Sequence, residues 1–202
     1  MTVIELPVGV RLVLGSASPR RSELLRSVGL EFEIVPADID ESTHPGETPA
    51  EYVARLSAEK ASVVAQRIGR DVVVIAADTT VDVDDQILEK PIDDSDARRM
   101  LRLLSGREHL VHTGVTVSWS AGTGSTATTT QVVETAVRFV ELSDRAIEWY
   151  LGTGEHRDKA GGYGIQGAAG AFVQRIDGSI SNVIGLPLAE SLELLESAVA
   201  LG

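Results

Sequence analysis

The chain has 202 residues, 43% of them hydrophobic, which suits one globular domain, or two lobes sharing one core around a cleft. It has no cysteine, which excludes disulfides, thiolate metal sites and a cysteine nucleophile, so any metal must sit on carboxylates, carbonyls or histidine. A formal net charge of −12 argues against nucleic-acid binding, because phosphate backbones need accumulated basic surface, and an anionic ligand would need positive charge gathered locally.

Near the amino end, Glu5 and Pro7 stand where a signal peptide would be basic and then apolar. No apolar run approaches the roughly 20 residues of a membrane span, so a soluble, cytoplasmic protein without membrane contact is expected. Residues 11–14 read as a short buried strand running straight into Gly15-Ser16-Ala17-Ser18-Pro19-Arg20-Arg21. A helix should follow at once, with Ser18 as N-cap, Pro19 in first position, Leu24, Leu25 and Val28 as an apolar stripe, and Gly29 as the stop. A strand over 32–35 and an acidic loop precede Thr48-Pro49-Ala50-Glu51, a capping box opening a helix to about residue 68 that carries Lys60.

Residues 72–77 are uninterrupted apolar, the pattern of a strand covered on both faces, and the strand is expected to end at Asp78. A hairpin through Asp84-Asp85 returns to Leu88-Glu89-Lys90-Pro91, and a helix over 95–104 closes at Gly106. Residues 109–117 and 132–140 pattern as long paired strands, joined by a mobile Gly, Ser and Thr-rich connection over 120–130. The last third holds a helix over 144–151, a glycine-dense loop over 161–170, a hairpin turning at Asp177-Gly178, and a terminal helix after Pro187. The order of elements indicates an α/β fold with a mixed, twisted sheet and flanking helices around a central cleft.

A strand ending in Gly-Ser-Ala-Ser-Pro-Arg-Arg at a helix start brings backbone N–H groups, two hydroxyls and two guanidinium groups to one small volume, which makes an anion site. The alternative is that Ser18 only caps the helix while Arg20 and Arg21 lie in solvent. The Gly-Lys-Ser/Thr ending of a Walker loop is missing. Asp78, after six apolar residues, is either a metal ligand or general base, or a turn aspartate ending a strand. Glu41, within Asp38-Ile39-Asp40-Glu41, is a candidate second metal ligand or part of a solvated loop. Lys60 and Lys90 taken singly are unremarkable, and Gln166 sits among glycines that would let a backbone approach a planar ligand. His44, His109, His112 and His156 lack metal-ligand spacing, with His109 and His112 on opposite faces of a strand.

Together, Ser16-Ala17-Ser18-Pro19-Arg20-Arg21, Ala76-Ala77-Asp78-Thr79, Leu88-Glu89-Lys90-Pro91, Asp158-Lys159-Ala160-Gly161, Tyr163-Gly164-Ile165-Gln166-Gly167 and Asn182-Val183-Ile184-Gly185-Leu186-Pro187 resemble, in order, the Maf family of nucleotide pyrophosphatases. The resemblance implies a cleft fold related to the inosine triphosphate pyrophosphatases, a divalent cation such as Mg²⁺ or Mn²⁺, and hydrolysis of a nucleoside triphosphate to monophosphate and pyrophosphate. By motif position it implies that Asp78 is the catalytic aspartate and that Ser16, Ser18, Arg20, Arg21, Lys60 and Lys90 contact phosphates. Glu41 would join Asp78 at the metal, and a homodimer is the family-level expectation.

Arg20, Thr79 and Gln166 match the three selecting positions of the family branch that resembles dTTP and UTP pyrophosphatases. A glutamine amide can accept from N3–H and donate to O4 of uracil or thymine, whereas a carboxylate suits the two donors of guanine. Two other readings of the resemblance stay open: a non-catalytic nucleotide-binding regulator of septum formation, and a broad house-cleaning pyrophosphatase acting on modified nucleotides.

Overall fold

The computed structural model describes residues 4–120 and 126–200. β1 (Arg11–Leu14) leads through the Gly15 to Ser18 loop into α1 (Pro19–Ser27), with Pro19 in the first helical turn as predicted. After β2 (Glu33–Ile34), α2 (Pro49–Ile68) starts on the expected capping box: Thr48 Oγ1 accepts the Glu51 N–H at 3.3 Å and Glu51 accepts the Thr48 N–H at 2.9 Å.

β3 (Val72–Val83) does not stop at Asp78. Antiparallel pairing with β5 (Glu108–Ser120) holds it extended from Val72, opposite Ser120, to Asp82, opposite Leu110, so Asp78 lies in mid-strand opposite Gly114. Hydrogen bonding to a neighbour, which an apolar run does not record, sets the strand's length. The hairpin through Asp84 and Asp85, both at positive φ, returns in β4 (Gln86–Leu88), and α3 (Asp94–Leu104) follows.

β6 (Thr126–Phe139) pairs with all of β5. Residues 126–130, expected in the mobile connection, are therefore strand; β-branched threonines opposite a long partner favour the ladder. Residues 121–125 of that connection lie outside the described residues. α4 (Asp144–Leu151) matches its expected bounds, and the glycine-dense segment folds into 3₁₀ turns at Ala160–Gly162 and Ala168–Phe172. The turn at Asp177-Gly178 ends β7 (Val173–Asp177) but starts no hairpin. Ser179 accepts the Asn182 N–H and caps a short helix, α5 (Ile180–Ile184), before α6 (Leu188–Ala200).

The strand order is β2-β1-β3-β5-β6-β7, with β4 paired to β3, and both parallel and antiparallel neighbours occur. Val72, Val74 and Ala76 pack with Ala61, Val64 and Ala65 of α2 on one face. On the other, Val73, Ile75 and Ala77 pack with Leu25 of α1 and Leu194 and Leu195 of α6, while Val81, Val83 and Phe139 pack farther along with Leu101 of α3 and Tyr150 of α4. Alternation along one strand thus splits the core into separate layers.

One edge of β3 is shared. β1 covers it as far as Ile75, β4 covers it from Val81, and among the described residues no strand faces residues 76–80 between them on that side. A groove in the sheet edge results, with Asp78, Thr79 and Thr80 along it.

Candidate active site

A cavity of about 1000 Å³ opens at this groove. It is lined by the Gly15 to Arg21 loop, Glu41, Lys60, residues 78–81 of β3, Glu89, Lys90, the Glu155 to Gln166 region and the end of α5. That volume lies at the upper end of small-molecule sites, large enough for a nucleotide.

Ser18 takes the N-cap position of α1, yet its side chain makes no capping bond. Its own N–H instead donates to Ser16 Oγ at 3.2 Å, and Arg21 donates to the same oxygen at 3.1 Å. With two donors already on Ser16 Oγ, its proton is left to donate elsewhere. The reading in which Arg20 and Arg21 simply lie in solvent does not hold. Arg20 is half-buried on the cavity lining, and Arg21 donates to Ser16, to Thr79 Oγ1 at 3.1 Å and to the Gly185 carbonyl at 2.8 Å. Burial lowers the Arg21 pKa and the charge of Asp78 opposes that shift. Arg21 therefore ties the loop to the far wall, while Arg20 offers charge to the cavity.

Across the groove, the buried Lys60 Nζ lies 2.6 Å from Asp78 Oδ1 and 2.6 Å from Glu41 Oε1. The spacing follows from the helix. Lys60 is on the α2 face that carries Leu56, Ala61 and Val64 into the core, and this helix covers the face of β3 from which Asp78 projects. Gly114 permits the approach, because a Cβ there would overlap the Val53 backbone. Burial raises the Glu41 pKa, but hydrogen bonds and charge from Lys60, and then Lys90, outweigh it and leave the carboxyl below its usual value. Lys90, largely exposed, reaches Glu41 Oε2 at 3.3 Å. Gln166 is exposed on the opposite lining.

All the predicted site residues thus line one cavity, although they come from six separated stretches of chain. Others were not foreseen. The Tyr52 hydroxyl donates its one proton to the Glu41 carbonyl at 2.9 Å, with Glu89 Oε1 3.3 Å away, and burial, with the charges of Asp78 and Glu89, raises its pKa, so it stays protonated. Glu155 accepts the Ala168 N–H at 2.8 Å and shapes the loop that carries Gln166. Lys159 lies on the lining, its pKa lowered by burial and by the charge of Arg20. The Tyr163 hydroxyl lies 2.8 Å from His109 Nε2, and His112 sits 3.4 Å from Asp82 on the other face, as the strand alternation predicted. Tyr52 on the buried stripe of α2 was the one signal available for these.

A cavity at a helix N-terminus, with arginines and a buried lysine facing carboxylates, has the make-up of a site for an anion beside an acid. The family model for Maf-like proteins matches residues 11–198, and the chain belongs to that family. It is 53% identical over 188 residues to a dTTP/UTP pyrophosphatase of Anaeromyxobacter sp. (strain Fw109-5), covering 93% of this chain and 89% of that protein. A dTTP/UTP pyrophosphatase of Vibrio cholerae is 50% identical over 185 residues, covering 92% and 96%. A solved HAM1 protein from Coxiella burnetii has 14% identity and a TM-score of 0.43, covering 96% of this chain and all of that one.

Proposed function

We propose that this protein is a nucleoside triphosphate pyrophosphatase acting on dTTP and UTP, releasing the monophosphate and pyrophosphate. The observation that carries the reading is the triad of Glu41, Lys60 and Asp78 facing the Ser16 to Arg21 loop across one cavity. Names of relatives about half identical over more than nine-tenths of the chain support the substrate class. No helix among the described residues is long and apolar enough to cross a membrane, and we place the enzyme in the cytoplasm, where its substrates are.

The triphosphate would lie between the α1 N-terminus with Ser16, Ser18 and Arg20 on one side and Lys60 and Lys90 on the other. Lys60 holds Asp78 by one carboxylate oxygen, leaving the second to accept a proton from water. The water oxygen bonds to the α-phosphorus, the bond to the bridging oxygen breaks, and pyrophosphate leaves with that electron pair. Two carboxylates beside substrate phosphates are the oxygen set that Mg²⁺ accepts, and Glu41 and Asp78 supply them. When bound, the cation would neutralise phosphate charge. No group of three or more histidine, aspartate or glutamate side chains converges among the described residues, so substrate oxygens and water would fill the rest of the cation's shell.

The test is a nucleotide panel with purified protein, scoring monophosphate and pyrophosphate separately. Pyrophosphate release from dTTP and UTP ahead of ATP and GTP is expected, stopped by EDTA and restored by Mg²⁺ or Mn²⁺. Nucleotide binding without turnover would select the regulatory reading. Orthophosphate as the product would move the cleaved bond, and equal rates on all nucleotides would support the house-cleaning reading.

A further inference from the structure

Gly164, Ile165, Gln166 and Gly167 all line the cavity. Gln166 is exposed there and its amide makes no hydrogen bond to the described residues, so its place is set by its backbone alone. Two glycines flank that stretch, and both are covered by side chains from one turn. A Cβ on Gly167 would lie 2.0 Å from Glu155 Oε2, and a Cβ on Gly164 would lie 2.6 Å from Lys159 Cε. The Gly164 end is also tied to α4, its N–H donating to the Tyr150 hydroxyl at 3.3 Å. At the Gly167 end the polar tie is Glu155 Oε2, which accepts the Ala168 N–H at 2.8 Å. A lysine stem on one side and a carboxylate on the other grip the loop at both ends.

The turn that grips is itself fixed. Thr153 Oγ1 donates to the Tyr150 carbonyl of α4 at 2.7 Å and accepts the Glu155 N–H at 3.2 Å, while Lys159 Nζ donates to the Glu155 carbonyl. Beside it the buried His156 Nε2 lies 2.9 Å from Asp94 Oδ1 at the start of α3. The N–H, carbonyl and carboxylate of Glu155 are therefore all engaged, and its side chain joins the anchored turn to the loop.

Resting on the pyrophosphatase reading, we propose that Glu155 is a positioning residue for nucleotide binding, acting through the 164–168 loop and not on the reacting atoms. With the phosphates drawn to Ser16, Arg20, Lys60 and Lys90, the nucleoside half of the substrate is left the wall where this loop offers bare backbone, an apolar side chain and an amide. A wall held in place before the ligand arrives spares the cost of ordering it on binding. Loss of the grip weakens binding of dTTP and UTP by the same factor and leaves the chemical step as it was.

The experiment measures KM and kcat for dTTP and UTP in wild type, Glu155→Ala, Glu155→Gln and Gly167→Ala. Alanine removes the acceptor of the Ala168 N–H, so KM should rise about 10-fold at nearly constant kcat, while glutamine, whose amide oxygen still accepts, should stay within about 3-fold of wild type. Gly167→Ala reaches the same result from the other partner, because its methyl meets the end of a flexible side chain and displaces the carboxylate. Combining it with Glu155→Ala should add little. A KM unchanged in Glu155→Ala, or additive effects in the double variant, overturns the proposal. So does a fall in kcat with KM unchanged, the mark of a partly unfolded preparation. A collapse of kcat in Glu155→Gln, or a changed Mg²⁺ requirement, would make Glu155 a participant in the chemistry and overturns it too. Should Glu155→Ala not fold, the rise of KM in Gly167→Ala decides. A wild type releasing no pyrophosphate from any nucleotide would instead refute the underlying function, and the same shift, read as the Kd of dTTP, then tests the grip.

Discussion

Asp78 is held by one oxygen to a buried lysine, and the base role proposed for it would use the other. Asp78→Asn keeps the shape and gives up proton acceptance, so turnover should drop about 100-fold or more. The melting temperature should barely move. Gln166 stands on the cavity lining, and in the proposed function its amide would donate to O4 of uracil or thymine. Gln166→Glu sets a carboxylate oxygen against O4 with no hydrogen between them, at a cost of about 1 to 3 kcal/mol in transition-state binding, or roughly 5- to 150-fold in kcat/KM for dTTP. Guanine nucleotides should lose less, since N1–H and the exocyclic amine can both donate to the new group. Side-by-side kcat/KM values for dTTP, UTP, GTP and 7-methyl-GTP decide it; an unchanged ratio would mean that Gln166 does not read the base.

At the scale of elements, the site depends on how closely α2 lies on β3 and β5. Gly114, opposite Asp78, leaves room for the Val53 backbone, and α2 carries Lys60 from there to Asp78. Gly114→Ala must push the helix away, because backbone cannot turn aside as a side chain can. We expect a loss of about 1 to 3 kcal/mol in unfolding free energy, the usual cost of overpacking. Activity should fall by more than the unfolded fraction explains, as Lys60 leaves its place between two carboxylates. Denaturation curves and kcat on the same preparation separate the two effects, and full activity in a destabilised protein would show that the helix position is not critical.

For the molecule as a whole, the dependence of stability on pH is set in part by His109. It is buried against Phe139 and Tyr163, far from the solvent an imidazolium needs, and burial lowers its pKa from 6.5 to about 4. The unfolded chain therefore binds a proton between those values that the folded chain does not. Stability is full above pH 6.5 and declines as pH falls towards 4, by about 2 kcal/mol between pH 7 and pH 5 for this one group. His109→Gln retains a polar partner for Tyr163 and removes the titration. The drop in melting temperature from pH 7 to pH 5 should shrink in that variant, and an equal drop would place the acid sensitivity elsewhere.

Every helix named here except α5 was legible in the sequence, because Ser-Pro, Thr-Pro-Ala-Glu and apolar spacing are local instructions that adjacent residues carry out. The site residues were legible mostly as an ordered set of motifs, each modest alone. What tertiary structure decided was everything that depends on a neighbour across the sheet: the extension of β3 beyond Asp78, the strand character of residues 126–130, and the helix where a hairpin was expected at Asp177-Gly178. It also decided roles. Lys60 reads as a surface lysine until α2 is laid on β3, and Arg21 becomes a tie between loop and wall. Local propensity acts over a few residues, whereas hydrogen-bond direction and charge pairing are set by groups from 18 to 164 positions apart, brought together only by the fold.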